Sequence, residues 1–334
     1  MDKFINTVAK QINDYIACLK YNERVSNLYQ PIIYTLDNGG KRVRPLMMLL
    51  AYKLFKEDYM SIINNALALE VYHNFTLLHD DVMDKAKMRR GKPCVHVKWD
   101  ENTAILSGDA MLIYAYMLMT KDFNENKLDH SQILPFNKAL DTFNQATLGV
   151  CEGQQFDMDF ENMNDVTEQQ YMNMIRLKTS LLLSAAMKMG AQLAEADDDD
   201  AQRLFDFGEK IGLAFQIQDD ILDVYADPNV FGKAVGGDIA ENKKTYLLIK
   251  TFEAADNQLI EQLNYWIGLK QFDFQEKFEA VKNIYDILNI RQIAENKVNE
   301  LFNDAMNLLN DVNVPDDKKS YLRQFALKLM NRDN

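Results

Sequence analysis

The chain has 334 residues, 47% of them hydrophobic, with only 13 Gly and 6 Pro, a composition that supplies a large core and disfavours an all-β or disordered fold. Fifty acidic against 37 basic residues give a net charge of −13 and a pI near 4.9, which excludes nucleic acid and anionic membrane surfaces as fitting partners, since both need a basic footprint. Cys18, Cys94 and Cys151 form no disulfide framework or zinc pattern and fit a reducing cytoplasm; no signal-peptide pattern opens the chain, and no apolar run reaches the roughly 18 residues of a transmembrane segment.

In chain order, Ile5, Val8, Ile12, Tyr15, Ile16 and Leu19 recur at helical spacing and predict an amphipathic N-terminal helix. Asn38-Gly39-Gly40-Lys41-Arg42-Val43-Arg44-Pro45 follows as a tight turn into an apolar run. Lys41 and Arg44 flank that helix start, where free N–H groups favour anions, although a plain basic loop reads the same way.

The next helix, about 61–84, is apolar until it ends in Asp80, Asp81 and Asp84. Asp80 and Asp84 share one face a turn apart, and such like charges repel unless a cation sits between them. Arg89 and Arg90 come soon after. Carboxylates beside arginines suit a hard divalent metal bound together with a phosphate group.

Lys92–Trp99 alternates like a strand but reads equally as a loop, and helices are predicted over about 102–121 and 136–160, separated by a polar surface connection. Further helices run over about 167–194 and 201–225, with Asp197–Asp200 between them as a solvated charged loop. A second cluster, Gln216-Ile217-Gln218-Asp219-Asp220-Ile221-Leu222-Asp223, repeats the first at the end of an apolar helix. Residues 226–242, with Pro228, Gly232, Gly236 and Gly237, read as a long functional loop, and short amphipathic helices fill 244–330. Without a linker or a repeat period, the economical reading is one all-α domain over 1–334, its two Asp triads facing each other across a cavity of a helix bundle.

The ordered set of motifs resembles the trans-isoprenyl diphosphate synthases of the polyprenyl synthetase family: Gly-Gly-Lys-Arg-x-Arg-Pro at 39–45, both Asp-rich motifs, Arg89-Arg90-Gly91, Gly108-Asp109, Gly153-Gln154-x-x-Asp157, Lys178-Thr179, Lys233 and Asp238 to Thr245. Asp100 and Asn242 stand where the family often has Gly, and the C-terminus carries only Arg332 where relatives are more basic. The resemblance implies the all-α isoprenoid synthase fold, a homodimer, and condensation of isopentenyl diphosphate with an allylic diphosphate.

It also implies roles. Asp80, Asp81, Asp84 and Asp219 would hold several Mg²⁺ ions, or Mn²⁺ in their place, on the allylic diphosphate, with Asp220 and Asp223 supporting the second motif, in some states through water. Arg89, Lys178 and Lys233 would assist there; Lys41, Arg44, His73 and Arg90 would bind the diphosphate of isopentenyl diphosphate. Thr179 and Gln216 would turn dipoles toward an allylic carbocation. Gln154 and Lys243 complete the binding set; the alternatives are a helix cap or cross-link for Gln154, a solvent-facing side chain for Lys243 and, without the resemblance, a core histidine for His73.

Two other functions compete. A class I terpene cyclase also ionises a diphosphate, but needs no second anion pocket and usually carries a different second metal motif; a non-catalytic subunit would be expected to lose an Asp motif, and both are whole. For product length, Thr76 is small enough to let a growing tail pass, whereas Phe75, five residues before Asp80 and so about 7.5 Å along the helix, should form part of a floor. Residues near Leu112 and Tyr116 on a facing helix are the alternative floor. The expected product is C20 ahead of C15, with C30 and longer below both.

Overall fold

The computed structural model describes residues 2–19, 21, 23–226 and 235–330. Its helices are, in chain order, α1 (Asp2–Ala17), α2 (Ser26–Asp37), α3 (Val43–Lys53), α4 (Ile63–Met83), α5 (Val95–Lys98), α6 (Glu101–Met119), α7 (Lys121–Asn124) and α8 (Ile133–Glu161). They continue with α9 (Glu168–Ile175), α10 (Leu181–Leu193), α11 (Asp198–Tyr225), α12 (Gly237–Ala240), α13 (Tyr246–Ala254), α14 (Asn257–Gly268), α15 (Phe274–Ile287), α16 (Ile290–Asp311) and α17 (Asp316–Met330). Among the described residues the only strands are Met88–Arg89 and Lys92–Pro93, paired antiparallel, so the fold is all-α as expected. The hairpin turns at Arg90 and Gly91, both left-handed at φ 52° and 75°. Thus the ambiguous Lys92–Trp99 stretch is the second strand of this hairpin and the short α5.

The chain forms two compact units. The first comprises residues 1–147, 185–205 and 313–322. Its central helix is α4, buried without a break from Leu67 to Tyr72, so this helix is core all round rather than amphipathic. It packs along α6 and against α3. Helix α1 buries Ile5, Val8, Ile12 and Ile16, one stripe at spacings of three and four, and leaves Tyr15 exposed. Asp100 is the N-cap of α6: its carboxylate accepts from the Thr103 amide at 2.8 Å and hydroxyl at 2.7 Å, so an acid here does work that glycine does not.

The Asp197–Asp200 run departs from the expected solvated loop. Asp198–Asp200 form the first turn of α11, where carboxylates meet the positive end of the helix dipole, and Asp197 Oδ1 accepts from the Asp200 amide at 2.7 Å. Asp200 is buried, takes Arg203 Nη1 at 2.7 Å, and accepts from the Asn313 amide. Charge density alone did not reveal this, because capping turns a run of acids into a helix start.

The second unit comprises residues 148–184, 206–312 and 323–334. Its core gathers Tyr171 and Met174 of α9, Ile217 and Ile221 of α11, Leu247 of α13 and Ile284 of α15. The helix expected over 167–194 is interrupted: a π-helical turn, Arg176–Ser180, separates α9 from α10. In the stretch expected as a long loop, α12 packs against α15, while Pro228, Gly232 and Lys233 lie outside the described residues, as does Arg332. Buried Lys277 donates to Ala240 O at 3.1 Å and Asn242 Oδ1 at 2.7 Å. Asn242 sits at φ 56° and donates to Ile267 O at 3.1 Å. Asparagine tolerates the left-handed conformation that glycine would supply, and its side chain adds two hydrogen bonds that glycine could not make.

Candidate active site

In the first unit, α4 delivers its acids at its C-terminus. Asp80 and Asp81 fall in the last turn, and Asp84 is the C-cap, its amide donating to Asp80 O at 2.9 Å. The negative end of the α4 dipole lies at these carboxylates, so a cation gains from both. Asp81 is buried and gripped by Arg89: Nε lies 2.8 Å from each carboxylate oxygen and Nη2 is 2.7 Å from Oδ1. Arg89 Nη2 also lies 3.5 Å from Asp80. The hairpin is what returns Arg89 to the helix end, and its guanidinium, half-buried against two carboxylates, has its pKa raised by their charge against the opposing effect of burial.

Oxygen-only donors at a negative helix end fit a hard cation such as Mg²⁺, which keeps waters and completes its shell with substrate phosphate rather than with a protein cage. Among the described residues no three His, Cys, Asp or Glu side chains converge as a ready-made cage.

Beside this end lies a cluster of cations. Arg44, in the first turn of α3, has a buried Nε with no hydrogen-bond partner among the described residues. Burial pushes its pKa down to about 10, with Glu70 opposing and Arg90 adding to the fall. His73 of α4 is held well below its usual pKa, first by burial and then by Arg44, Arg90, Arg89 and Arg42, so it is neutral at physiological pH. Arg90 donates to Gly39 O and packs over Gly40. Lys41 is exposed at the mouth of this loop. A half-buried guanidinium with an open N–H and several cations around a neutral imidazole suit one chemistry, a multiply charged anion bound without metal. Lys41, Arg44, His73 and Arg90, picked out by motif, thus lie on adjoining elements of one unit.

Along α4 below Asp80, Phe75 is buried in an aromatic group. Its ring centroid lies 4.8 Å from His79 and 5.4 Å from Tyr72, and Tyr72 packs on Phe143 at 5.9 Å. Tyr72 Oη donates to Thr147 O at 2.7 Å, and Tyr116 packs on Phe143 at 5.2 Å. Thr76 is half-buried, its hydroxyl donating to His73 O at 2.8 Å.

In the second unit, α11 ends in Asp219, Asp220 and Asp223. Asp220 is buried and fully engaged: Tyr171 Oη donates at 2.5 Å, the Tyr246 amide at 3.0 Å and Gln216 Nε2 at 3.2 Å. Burial and the nearby Asp238 carboxylate raise its pKa, and the same two causes raise that of Asp223, which accepts from the Asp238 amide at 3.0 Å. Asp219 is half-buried. Lys178 and Thr179 occupy the π turn. Gly153 explains how α8 reaches it: a Cβ there would collide with the Lys178 backbone nitrogen and lie 2.8 Å from the Leu177 carbonyl carbon, so only glycine permits this approach. Lys178 Nζ then meets Asp157 Oδ2 at 2.6 Å, and the Thr179 hydroxyl donates to Gln216 Oε1 at 2.9 Å. Gln154 sits half-buried one residue after Gly153. Lys243 is exposed, 4.0 Å from Asp238, whereas Lys244 is the half-buried one, its pKa lowered by burial.

Several organising residues escaped the motif reading, Glu70, Asn74, Tyr171, Tyr246 and Lys277, and Arg42 stood in a motif without a role of its own. Glu70 and Asn74 did carry a signal, as polar residues on a helix apolar all round, where a buried charge requires a partner. Tyr171 and Tyr246 carried none, because only the fold brings a hydroxyl and a backbone amide to Asp220.

The family model described as Polyprenyl synthetase matches residues 25–288. A geranylgeranyl diphosphate synthase of Methanosarcina mazei is 43% identical over 230 residues, 69% of each chain. One from Sulfolobus acidocaldarius is 35% identical over 333 residues, 98% of each chain. A crystal structure of a geranylgeranyl pyrophosphate synthase superposes with a TM-score of 0.90 at 39% identity, covering 99% of both chains.

Proposed function

We propose, from the premise that this chain belongs to the polyprenyl synthetase family and is a prenyltransferase of the isoprenyl diphosphate synthase type, that it joins isopentenyl diphosphate head-to-tail to an allylic diphosphate (dimethylallyl, geranyl or farnesyl) and delivers mainly the C20 all-trans product. C15 is the second-ranked product. The observation that carries this reading is the pairing in one unit of an oxygen-only carboxylate end, Asp80, Asp81 and Asp84, with the separate cation cluster of Arg44, Arg90 and His73. Two anion chemistries side by side suit two diphosphates, only one of which must leave. A terpene cyclase would need the first alone.

In this reading Asp80, Asp84 and Asp219, with Asp81 once Arg89 yields it, hold Mg²⁺, and Asp220 and Asp223 keep the second motif in place. When bound, Mg²⁺ neutralises charge developing on the diphosphate leaving group. Arg89, Lys178 and Lys233 bind the same phosphates by charge. Lys41, Arg44, His73 and Arg90 bind the diphosphate of the other substrate, which keeps it intact for the next cycle. Gln154 and Lys243 contribute polar contacts at the rim. Thr179 and Gln216, hydrogen-bonded to each other, turn oxygen dipoles toward the allylic cation, and apolar walls exclude the water that would quench it. The double bond of isopentenyl diphosphate attacks that cation, and the departed pyrophosphate takes the final proton.

The single-domain reading, homodimeric assembly and a cytoplasmic setting belong to the same proposal; among the described residues no helix is long and apolar enough to cross a membrane. Incubation with Mg²⁺, isopentenyl diphosphate and each allylic primer tests it by pyrophosphate release and product chromatography. Asp81→Ala or Asp219→Ala should lower turnover by about a thousandfold or more with the fold retained. Near-normal turnover in either variant would refute the two-motif mechanism, and a monomeric mass at micromolar concentration the assembly.

A further inference from the structure

The loop that carries Lys41 and Arg44 is not one that backbone preference holds in place. Gly39, Gly40 and Arg42 all have positive φ, at 74°, 136° and 48°. Two of these are glycines. Arg42 is not, and a long side chain at φ 48° is uncommon without something that fixes it.

What fixes it is its own guanidinium, buried with only 4% of the residue exposed. Each nitrogen goes to a different helix: Nε donates to Asn13 Oδ1 of α1 at 2.9 Å, Nη2 to Leu36 O of α2 at 2.6 Å, and Nη1 to Glu70 Oε1 of α4 at 2.6 Å. Glu70 is itself buried and accepts a second bond from Asn74 Nδ2 at 3.0 Å. Arg42 therefore does not face a solute. Two residues on, in the first turn of α3, stands Arg44 with its buried, open Nε. The opposite side of the loop is clamped by Arg90, which donates to Gly39 O.

We propose that Arg42 is a positioning residue: pegged on Asn13, Leu36 and Glu70, it fixes the left-handed turn from which Lys41 and Arg44 reach the diphosphate of isopentenyl diphosphate. This rests on the functional reading above and extends it to residues that touch no substrate. The planar fork matters as much as the charge. A lysine keeps the charge but cannot reach three acceptors on three helices at once. Glu70 is a buried carboxylate whose charge acts on both Arg44 and Arg90 while it bonds Arg42, so it draws together cations that would otherwise repel.

The test compares wild type with Arg42→Lys, Glu70→Gln and Asn13→Ala in the full chain. Calorimetric titration with isopentenyl diphosphate alone, without metal or primer, should show affinity reduced about tenfold for Arg42→Lys and about threefold for Asn13→Ala, which removes only the exposed peg. In turnover, KM for isopentenyl diphosphate should rise in the same proportion, while KM for the allylic substrate stays within about twofold of wild type and kcat at saturation within about threefold. Asn13→Ala and Glu70→Gln decide the matter if Arg42→Lys does not fold. Wild-type affinity in the folded variants, or equal losses for both substrates alongside a lower Tm, would overturn the peg and leave a purely structural ion pair. Wild-type protein that consumes no isopentenyl diphosphate would overturn the functional reading first, before any variant is compared.

Discussion

Replacing Phe75 with alanine should lengthen the product by one isoprene unit and no more. Phe75 lies five residues before Asp80, about 7.5 Å along α4 at 1.5 Å per residue. The next aromatic on the same side is Tyr72, three residues and so about 4.5 Å further on. Tyr72 is held on Thr147 O at 2.7 Å and against Phe143, so it will not swing aside when Phe75 is cut back. An isoprene unit adds four backbone carbons, about 5 Å when extended with C–C bonds near 1.5 Å. The space opened thus matches one unit, moving C20 toward C25. Truncating a buried phenylalanine costs about 3–5 kcal/mol where the cavity stays empty, so a lower Tm is expected and purified folded protein must be used. Chromatography of dephosphorylated products from Phe75→Ala, alone and with Tyr72→Ala, reads the result. An unchanged distribution would place the floor elsewhere, on the Tyr116 side; a jump to C30 or beyond from the single variant would show that Tyr72 is no barrier; and mainly C30 or longer from the unmodified enzyme would refute the floor outright.

Arg44→Ala should raise KM for isopentenyl diphosphate at least about tenfold with little change for the allylic substrate, and Arg44→Lys should restore little, because paired guanidinium contacts to phosphate are directional; equal effects on both substrates would reverse the subsite assignment. Gly153→Ala forces a methyl onto the Lys178 backbone, and should cost about 1–3 kcal/mol in chemical denaturation and lower kcat through Lys178 and Thr179; unaltered stability would mean that α8 yields at no cost. His73 has a folded-state pKa depressed below its ordinary 6.5, so the unfolded chain binds a proton that the folded one refuses, and the stability that His73 contributes above that pH is lost as pH falls. The Tm of His73→Gln relative to wild type should therefore rise as pH is lowered from 7.5 to about 5; a difference that stays flat would mean that the imidazole is protonated in place.

Sequence by itself determined the fold class and the chemistry. Apolar runs too long and too rarely broken for strands dictate helices, and two Asp clusters at the ends of such runs stand out because like charges are not stored on a core helix without a cation to justify them. Helix boundaries were legible where an apolar run ended. They were misjudged where capping decided, as at Asp197–Asp200, and where one turn of π helix interrupts a periodic stretch at Lys178, since periodicity records which faces are apolar and not how the backbone is wound.

Only the tertiary structure decided which carboxylates are engaged and by what. Asp81 and Asp220 look like their neighbours in sequence, yet the hairpin returns Arg89 to the one, and Tyr171 with the Tyr246 amide closes on the other. Arg42 reads as one more basic residue of a motif, but folding makes it the meeting point of three helices. The physical reason is range: periodicity and charge pattern act within a turn or two of chain, whereas a buried charge is satisfied by whichever donor the packing brings within 3 Å, often from tens of residues away.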